Sequence, residues 1–493
     1  LGGINFLPNV YNCRVSYTCR EGEQTYTPSF CYFGFRYVLV LGLEEGQATE
    51  DLLTYEVMNS DLKRLSHFSC SDETVNRIFS CACVSDLANF YYFPTDCPQR
   101  EKNGWTGDAA LSAEHHLLLW RAERSLREWM RNVCASQSKE GKIAPFVPDD
   151  RWGYDHQGWD YGPAWDGVII QIPYYIYKFR GDLTVARESG DNILRLLQML
   201  ARTRDDRGLI DYGLGDWCHA GHENQWSPTC PRYVSNTILA MDLCVKSAEL
   251  FDALGENLPA EFARGLAAEF SADIREHLVD FDTMTVESDC QAAQAMALFY
   301  GVFDESEDAA AFDVLLRIIE RTEGRMDMGV LGARVMFHLL SAHGRSDLAY
   351  HMITTREFPS YGYWIHTMGA TALFEDFVPL GGEITSHNHH FWGDVSSWFI
   401  RDLAGLKLNP RTCDASEVEI SPALIDELTH AEADHLLAEG RVAVAWRREG
   451  EGIVLTLNVP EGVHGKIKLP SGWHFADGST EMAAATGEYR LAR

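Results

Sequence analysis

The spacing of apolar positions changes twice along this chain. Over the first sixty-odd residues, apolar and polar side chains alternate in runs such as RVSYTCR and LLTYEVM. A period of two is typical of strands, so this region is predicted to be β. From about Asp72 the period lengthens to that of a helix, and after about residue 409 alternation returns in RVAVAWRREGEGIVLTL. The predicted order is therefore β, then a large helical region, then β.

The helical region divides into about twelve segments, many of them arranged as pairs. Their predicted bounds are 73–91, 107–135, 165–180, 182–202, 235–254, 257–277, 289–301, 307–321, 329–343, 345–355, 366–377 and 392–404. Twelve helices in hairpin pairs suit a closed barrel in which an outer ring covers an inner one. The loops at one end would form a bowl, and aromatic and acidic residues concentrate in the loops at 149–167, 209–226 and 358–366. We predict a mainly α fold with domains at 1–65, 66–408 and 409–493.

Composition narrows the kind of ligand that such a bowl would bind. The formal net charge is −30 and the acidic residues are dispersed, which disfavours nucleic acid and anionic membranes as partners. Thirteen Trp and twenty Tyr suit sugar faces, which pack well on aromatic rings. The thirteen cysteines include no CxxC pair, and no run is apolar enough to span a membrane or resembles a signal peptide. We therefore expect reduced cysteines and a cytoplasmic location.

A short stretch at 95–108, TDCPQREKNGWTGD, concentrates charge and an aromatic ring. Pro98 and Gly104 disfavour a continuous helix, so we predict a structured loop that leads into a helix. A carboxyl near other carboxylates and partly shielded by a ring has a raised pKa, which makes it usable as a general acid. On the residues alone, Asp96, Glu101 and Asp108 all remain candidates for that role.

If the predicted bowl hydrolyses a glycoside, a second carboxyl group is expected, because glycoside hydrolysis normally pairs two carboxyl groups across the scissile bond. The sequence context favours Glu375, in TMGATALFEDFVP, as the second group. Its neighbour Asp376 and the nearby Glu383 are alternatives.

The stretch SHNHHFWGD raises the question of a metal site, since His387, His389 and His390 lie close together. Their spacing does not match a helical pair of ligands, and no Cys or acid accompanies them at a recognised spacing. A histidine that binds substrate is favoured. We predict no metal and no cofactor.

The stretch DCPQREKNGWTGDA resembles the signature of bacterial α-L-rhamnosidases, glycoside hydrolase family 78. Further segments similar to this family follow in its order, among them PAWDGVIIQIPYYIYKFRGD, GLGDW, FPSYGYWIHTMGATALFED and SHNHHFWGDVSSW. The resemblance covers nearly the whole chain. It implies an (α/α)6 barrel flanked by N-terminal β-strands and a C-terminal β-sandwich. It also implies an inverting hydrolase that releases terminal α-L-rhamnose from a rhamnose-containing glycoside.

The resemblance also assigns roles to individual residues. Glu101 matches the family's general acid and Glu375 its general base. The substrate-binding positions that it implies are Asp96, Arg100, Trp105, Asp108, Trp165, Trp217 and His389. An inverting pair of carboxyls stands about 6.5–9.5 Å apart, to leave room for a water.

This sequence departs from the family pattern at two positions. Glu101 follows Arg100 directly, where many members have an additional acidic residue between them. Phe374 precedes the base, where many members have Trp. Upstream domains often found in the family are not in this sequence, as expected for a compact member or a fragment.

Two alternative functions remain open at this point. One is an (α/α)6 glycosidase that acts on another sugar, although a uronic acid would require Arg or Lys in the acidic and aromatic bowl. The other is a catalytically silent carbohydrate-binding protein, which the presence of both Glu101 and Glu375 disfavours.

Overall fold

The chain folds into a helical barrel followed by two β-sheets. The computed structural model describes residues 13–149, 161–221, 228–382 and 384–493. The helices in these ranges are α1 (Glu73–Ala88), α2 (Thr106–Leu119), α3 (Glu123–Ser136), α4 (Pro163–Asp166), α5 (Val168–Arg180), α6 (Thr184–Arg202), α7 (Arg232–Leu254), α8 (Asn257–His277), α9 (Gln291–Phe299), α10 (Asp308–Arg321), α11 (Val330–Ala342), α12 (Ser346–Thr354), α13 (Tyr361–His366) and α14 (Val395–Trp398). A π-helical turn over Phe399–Leu403 continues α14.

Six of these helices form a closed inner ring. Each packs against the next in the order α2, α5, α7, α9, α11, α14, and α14 packs against α2 again. Helix α2 is buried at every position, and α9 is buried from Gln291 to Leu298. Alanines recur in both helices, so neighbouring backbones can approach closely. These helices are buried all round because protein covers every face of an inner ring.

Six further helices, α1, α3, α6, α8, α10 and α12, pack on the outside of this ring. Their sequences are amphipathic. In α6 the buried positions Val185, Ile193, Leu196 and Leu200 recur at helical spacing, and charged residues occupy the exposed face. Two rings of six helices make an (α/α)6 barrel, so the predicted fold class is confirmed.

Several of the predicted helices differ from those observed. The segment 165–180 spans the end of α4 and the whole of α5, which are separated at Gly167. The segment 107–135 contains two helices, because the backbone is extended at Trp120, with φ −128° and ψ 151°. The helix predicted at 366–377 is wrong, since α13 ends at His366 and residues 367–382 form a loop. The small residues of MGATA mimic a helical pattern, but Gly369 adopts φ +66°, a left-handed conformation at which helices end.

Two sheets follow the barrel, and they contain most of the strands. The strands are β1 (Ser66–Cys70), β2 (Phe90–Tyr91), β3 (Phe93–Pro94), β4 (Val279–Asp280), β5 (Thr285–Val286), β6 (Leu406–Leu408), β7 (Glu417–Ile420), β8 (His430–Leu436), β9 (Arg441–Glu449), β10 (Gly452–Asn458), β11 (His464–Lys468), β12 (His474–Phe475), β13 (Glu481–Ala483) and β14 (Gly487–Ala492). One sheet has the order β1–β8–β9–β10–β14–β12, with every pair antiparallel. The other has the order β13–β11–β7–β6, in which β7 and β11 are parallel. Two short hairpins, β2–β3 and β4–β5, lie within the helical region.

Strand β1 precedes the barrel in the sequence but belongs to the C-terminal sheet. Its Ser66 pairs with His435 and its Cys70 with Ala431. Directly after the last helix of the barrel in the sequence, β6 pairs with β7. The domain bounds predicted at 65/66 and 408/409 therefore separate β1 and β6 from their hydrogen-bonded partners.

The N-terminal strand of the described chain is β1, and residues 13–63 contain no strand although their alternation predicted several. A strand requires a neighbour that pairs with its N–H and C=O groups. Apart from Gly34, whose N–H donates to the carbonyl of Pro98, the run FGFRYVLVLGL has no such neighbour within the described residues, and Tyr37, Leu39 and Leu41 are exposed. The alternation shows a local preference for extended backbone, but the prediction of strands in residues 13–63 is wrong.

None of the helices in the described parts of the chain is both long enough and apolar enough to cross a lipid bilayer.

Candidate active site

Residues 95–105 form a closed loop between β3 and α2, as the sequence predicted. The backbone N–H of Asp96 donates to the carbonyl of Asn103 at 3.1 Å. In return, the N–H of Asn103 donates to Oδ1 of Asp96 at 2.9 Å. These two bonds join the ends of the loop, and Glu101 lies between them. We call residues 95–105 the acid loop.

Two glycines allow the close packing around the acid loop. A Cβ at Gly104 would lie 2.2 Å from the carbonyl oxygen of Val147. A Cβ at Gly107 would lie 2.3 Å from the ring of Trp165. Both distances are far inside van der Waals contact, so only glycine fits at either position without rearrangement of its neighbours. The GWTG stretch therefore brings the acid loop against one aromatic ring and one backbone segment.

Glu375 lies in the loop between α13 and α14, which we call the base loop. Its N–H donates to the carbonyl of Ser386 at 2.9 Å, and its own carbonyl accepts from the indole N–H of Trp392 at 2.9 Å. Beside it, the rings of Trp364 and Phe377 stack with their centroids 3.7 Å apart. Aromatic packing and backbone hydrogen bonds thus hold Glu375 without a helix.

Arg100 joins the acid loop to the base loop. Its Nη2 lies 3.3 Å from Oε1 of Glu101 and 3.2 Å from Oε2 of Glu375. The other carboxylate oxygen of Glu101 accepts a 2.8 Å hydrogen bond from the indole N–H of Trp105. The structure thus brings Arg100, Glu101, Trp105 and Glu375, predicted from distant parts of the sequence, into one contact network.

His389 extends this network to the start of α2. Its Nε2 donates to Oδ1 of Asp108 at 2.7 Å, and its Nδ1 lies 3.8 Å from Oε2 of Glu375. Burial opposes a charge on this imidazole, but Glu375 and Asp108 outweigh burial and raise the pKa of His389 to about 9. The imidazole is therefore positively charged at neutral pH and stabilises both carboxylates.

The environment of Glu375 favours its protonated form. Burial is the largest cause, and together with the charges of Asp376 and Asp108 it raises the pKa of Glu375 to about 7, against the opposing effects of His389 and Arg100. This carboxyl exchanges a proton near neutral pH.

Asp96 is the buried carboxyl of the acid loop, with an exposed fraction of 3%. Burial, with the charges of Glu101 and Asp108, raises the pKa of Asp96 to about 8, and His389 acts in the opposite direction. The folded protein therefore keeps a proton on Asp96 up to about pH 8, whereas the unfolded chain releases it above about pH 4.

We expect Asp96→Asn to stabilise the fold more at pH 9 than at pH 5. Because the pKa of Asp96 is raised on folding, wild-type stability falls as the pH rises from about 4 to about 8. Asparagine cannot ionise and keeps an acceptor for the N–H of Asn103, so its relative stability should gain roughly 2–5 kcal/mol across this range. Urea denaturation at both pH values measures the free energy of unfolding. The exposed Asp282→Asn is the control, and an equal effect of Asp96→Asn at the two pH values would contradict the prediction.

The predicted tryptophans occupy different places around the network. Trp165 is buried against Gly107, and the ring of Tyr161 lies between it and Trp105, with centroid distances of 5.8 and 5.4 Å. Trp217 is half-buried in a separate loop, where its carbonyl accepts from the N–H that begins α11. The next residue, Cys218, lies beside Asp376 of the base loop. Trp165 therefore adjoins the acid loop, and Trp217 lies in a loop that adjoins the base loop.

Of the alternatives to Glu375, Asp376 has backbone and thiol partners. Its Oδ2 accepts from the N–H of Thr385 at 2.8 Å, and its Oδ1 lies 3.9 Å from Sγ of Cys218. Glu383 lies outside the described residues, as do parts of the loops at 149–167 and 209–226.

Among the described residues, one cluster that could hold a metal lies next to the start of the acid loop. Asp86, His115, His116 and His390 are buried, and one potential ligand atom from each lies within 4.8 Å of the others. Both ring nitrogens of His390 have protein partners, at 2.7 Å from Oγ of Ser112 and 2.8 Å from the carbonyl of Thr95. His115 and His116 face the carboxylate of Asp86 at 3.0 and 3.2 Å. These contacts make a hydrogen-bonded network that supports α2 and the start of the acid loop.

Sequence reasoning missed a second link between the two loops. The side-chain amide of Gln99 donates to Oγ of Ser386 at 2.7 Å, and Ser386 is the residue whose carbonyl accepts from Glu375. Gln99 lies in the stretch TDCPQREKNGWTGD, and Ser386 is the first residue of SHNHHFWGD. Nothing local in the sequence indicated that they meet.

Comparison with known proteins agrees with this architecture. Residues 63–403 match the model of the bacterial α-L-rhamnosidase six-hairpin glycosidase domain, and residues 416–479 match that of the bacterial α-L-rhamnosidase C-terminal domain. A curated α-L-rhamnosidase from Streptomyces avermitilis is 27% identical over 92% of this chain and 43% of its own length. The chain spans about half the length of the curated relatives it matches, or less.

Solved structures give the same fold. The Streptomyces avermitilis α-L-rhamnosidase complexed with L-rhamnose superposes with a TM-score of 0.79 at 24% identity, over 88% of this chain and 43% of that one. An α-L-rhamnosidase from Aspergillus terreus superposes with a TM-score of 0.80 at 22% identity, over 88% and 51%. The family model covers well over half of the sequence, with the acid loop and Glu375 inside it. This chain belongs to the bacterial α-L-rhamnosidase six-hairpin glycosidase family.

Proposed function

We propose that this chain hydrolyses terminal α-L-rhamnosides with inversion, using Glu101 as general acid and Glu375 as general base. The observation that carries the proposal is the contact of both carboxylates with one guanidinium nitrogen of Arg100. Two glutamates from distant segments converge there, inside a barrel of this family. Glycoside hydrolysis requires such a pair.

The surroundings of each glutamate suit its proposed role. Glu101 is the more exposed of the two, with 27% of its side chain accessible against 12% for Glu375, so it can reach the oxygen of a departing group. The indole N–H of Trp105 fixes its orientation. A pKa of about 7 lets Glu375 accept a proton from water near neutral pH.

The proposed reaction conserves protons between the two glutamates. Glu101 gives its proton to the glycosidic oxygen as the bond from C1 to that oxygen breaks. A water attacks C1 from the opposite face and releases its proton to Glu375. Oε1 of Glu101 and Oε2 of Glu375 lie 3.3 and 3.2 Å from Nη2 of Arg100, so these two oxygens are at most 6.5 Å apart. This separation is at or below the lower limit of the 6.5–9.5 Å range expected for an inverting pair. The inverting stereochemistry comes from the family resemblance, so the anomer of the product is its test.

The remaining predicted side chains would bind the sugar. Asp96 and Asp108 supply carboxyl groups for hydroxyls, and His389 orients Asp108. The rings of Trp105 and Trp165 offer faces for the C–H groups of a deoxy sugar. Arg100 and Trp217 are proposed as further substrate contacts.

We also propose that the barrel, residues 66–408, carries this activity, with flanking units at 1–65 and 409–493. None of the thirteen cysteines forms a disulfide bond, which supports a reducing compartment such as the cytoplasm.

Assay of the purified chain on p-nitrophenyl α-L-rhamnoside tests the proposal. We expect release of nitrophenol, with little or none from the matching α-L-fucoside, α-L-arabinoside or β-D-glucuronide. Proton NMR during the first minutes should show β-L-rhamnose before mutarotation. Hydrolysis of another glycoside alone, or binding of rhamnose without turnover, would refute the activity, and α-rhamnose as first product would refute inversion.

A further inference from the structure

We propose that Lys102 and residues Tyr32–Gly34 form a clamp that positions Glu101 for proton donation. This inference rests on the proposed function. It assigns to a segment before the barrel a part in the chemistry of the barrel.

Lys102 provides the first half of the clamp. Its ammonium group donates to the carbonyl of Tyr32 at 2.9 Å. The ammonium group also lies 5.3 Å from the ring centroid of Tyr32 and 5.1 Å from that of Phe33. A hydrogen bond and two cation–π contacts thus fix one lysine, which directly follows the proposed acid.

Gly34 provides the second half. Its N–H donates to the carbonyl of Pro98 at 2.9 Å, on the other side of Glu101. A Cβ on Gly34 would lie 2.9 Å from both the carbonyl carbon and Cγ of Pro98. The two backbones approach so closely here that glycine is required. The clamp therefore holds the acid loop on both sides of Glu101.

The segment Tyr32–Gly34 is itself anchored to the barrel. The ring of Tyr32 packs on the ring of Tyr91, with centroids 4.7 Å apart, and Tyr91 belongs to the β2–β3 hairpin that leads into the acid loop. The clamp thus joins the acid loop to a second point on the same scaffold.

The acid loop needs such an external support. No helix or strand contains residues 95–104, and Lys102 adopts φ +55°, a left-handed conformation that is strained for a lysine. The bonds between Asp96 and Asn103 fix the ends of the loop and leave the turn at 98–102 between them. Gln99 and Arg100 attach one face of this turn to the base loop, and the clamp adds contacts to Pro98 and Lys102 on either side of Glu101.

Leaving groups of different acidity distinguish a loss of acid positioning from a general loss of structure. A poor leaving group, such as methanol or a sugar, requires a proton in the transition state, whereas 2,4-dinitrophenolate departs without one. We expect Lys102→Met to lower kcat roughly tenfold or more for methyl α-L-rhamnoside, and less than about threefold for 2,4-dinitrophenyl α-L-rhamnoside. Gly34→Ala, which disturbs the clamp from the other side, should give the same pattern.

The matched control is Lys466→Met, an exposed lysine of β11 in the four-stranded sheet, which should leave both rates unchanged. Thermal unfolding and L-rhamnose affinity of each variant show whether the fold and the sugar pocket remain. Equal losses on the two substrates, or no loss on methyl rhamnoside, would overturn the clamp. If Lys102→Met does not fold, Gly34→Ala alone decides by the same criterion. A wild-type protein inactive on both substrates would instead refute the proposed function.

Discussion

Replacing Glu375 by alanine should lower kcat for p-nitrophenyl α-L-rhamnoside by roughly 10²- to 10⁴-fold, the usual contribution of a general base. Water at C1 would then lose its proposed proton acceptor, Glu375. The loss should fall mainly on kcat, because the sugar contacts proposed for the acid loop remain. Steady-state kinetics with a chromogenic substrate measures it.

Azide tests whether the lost carboxylate acts on the face of C1 opposite the leaving group, and the anomer released by the wild type then distinguishes a base from a nucleophile. An anion that needs no deprotonation can occupy the space left by the glutamate and attack C1 directly. We expect azide to restore turnover of Glu375→Ala and to yield β-L-rhamnosyl azide, the product of inversion. Asp376→Asn is the control for the neighbouring carboxylate and should give a much smaller loss without azide rescue. Full activity of Glu375→Ala, or an α-linked azide, would exclude Glu375 as the base of an inverting reaction.

Glu101→Gln should produce the second large effect, and this effect should depend on the leaving group. Glutamine keeps an oxygen that can accept the hydrogen bond from Trp105 but has no proton to donate. We expect kcat to fall roughly 10²- to 10⁴-fold for methyl α-L-rhamnoside and far less for the 2,4-dinitrophenyl glycoside.

A series of aryl rhamnosides measures this dependence as the slope of log kcat against the pKa of the leaving phenol. The slope should be steeper for Glu101→Gln than for the wild type. Glu128→Gln, an exposed change on α3, should leave it unchanged. An unchanged slope for Glu101→Gln would assign proton donation to another carboxyl, and Asp96 would be the next to test.

Much of the barrel could be predicted from sequence because its signals are local. In α6, buried apolar residues recur at helical spacing, and the same holds for other outer helices. The base loop shows where this reasoning fails. MGATALFED has the small and apolar residues of a helix, but Gly369 and the packing of Trp364 on Phe377 determine a loop. The prediction of strands in residues 13–63 is wrong for another reason. Strand pairing depends on a neighbouring strand, which the segment's own pattern does not specify.

The candidate site, too, has features that local sequence predicts and features that it does not. The density of charge around Pro98 and Gly104 indicated a structured loop, and the resemblance selected Glu101 and Glu375 from several carboxylates. The contact of Arg100 with both glutamates joins residues 275 positions apart, which no local pattern contains. The hydrogen bond from Lys102 to the carbonyl of Tyr32 was equally beyond local reasoning, because a backbone oxygen as acceptor leaves no trace in the identity of the residue.

The pairing of β1 with β8 has a consequence for how the chain folds during synthesis. Ser66 and its partner His435 are 369 positions apart. At about 5–20 residues per second, roughly twenty to seventy seconds pass between their emergence from a ribosome. Throughout that interval β1 has a free edge while the barrel forms behind it. The sheet that fixes the start of the barrel is therefore completed only after the whole barrel has been synthesised, and the nascent chain must keep that edge available until then.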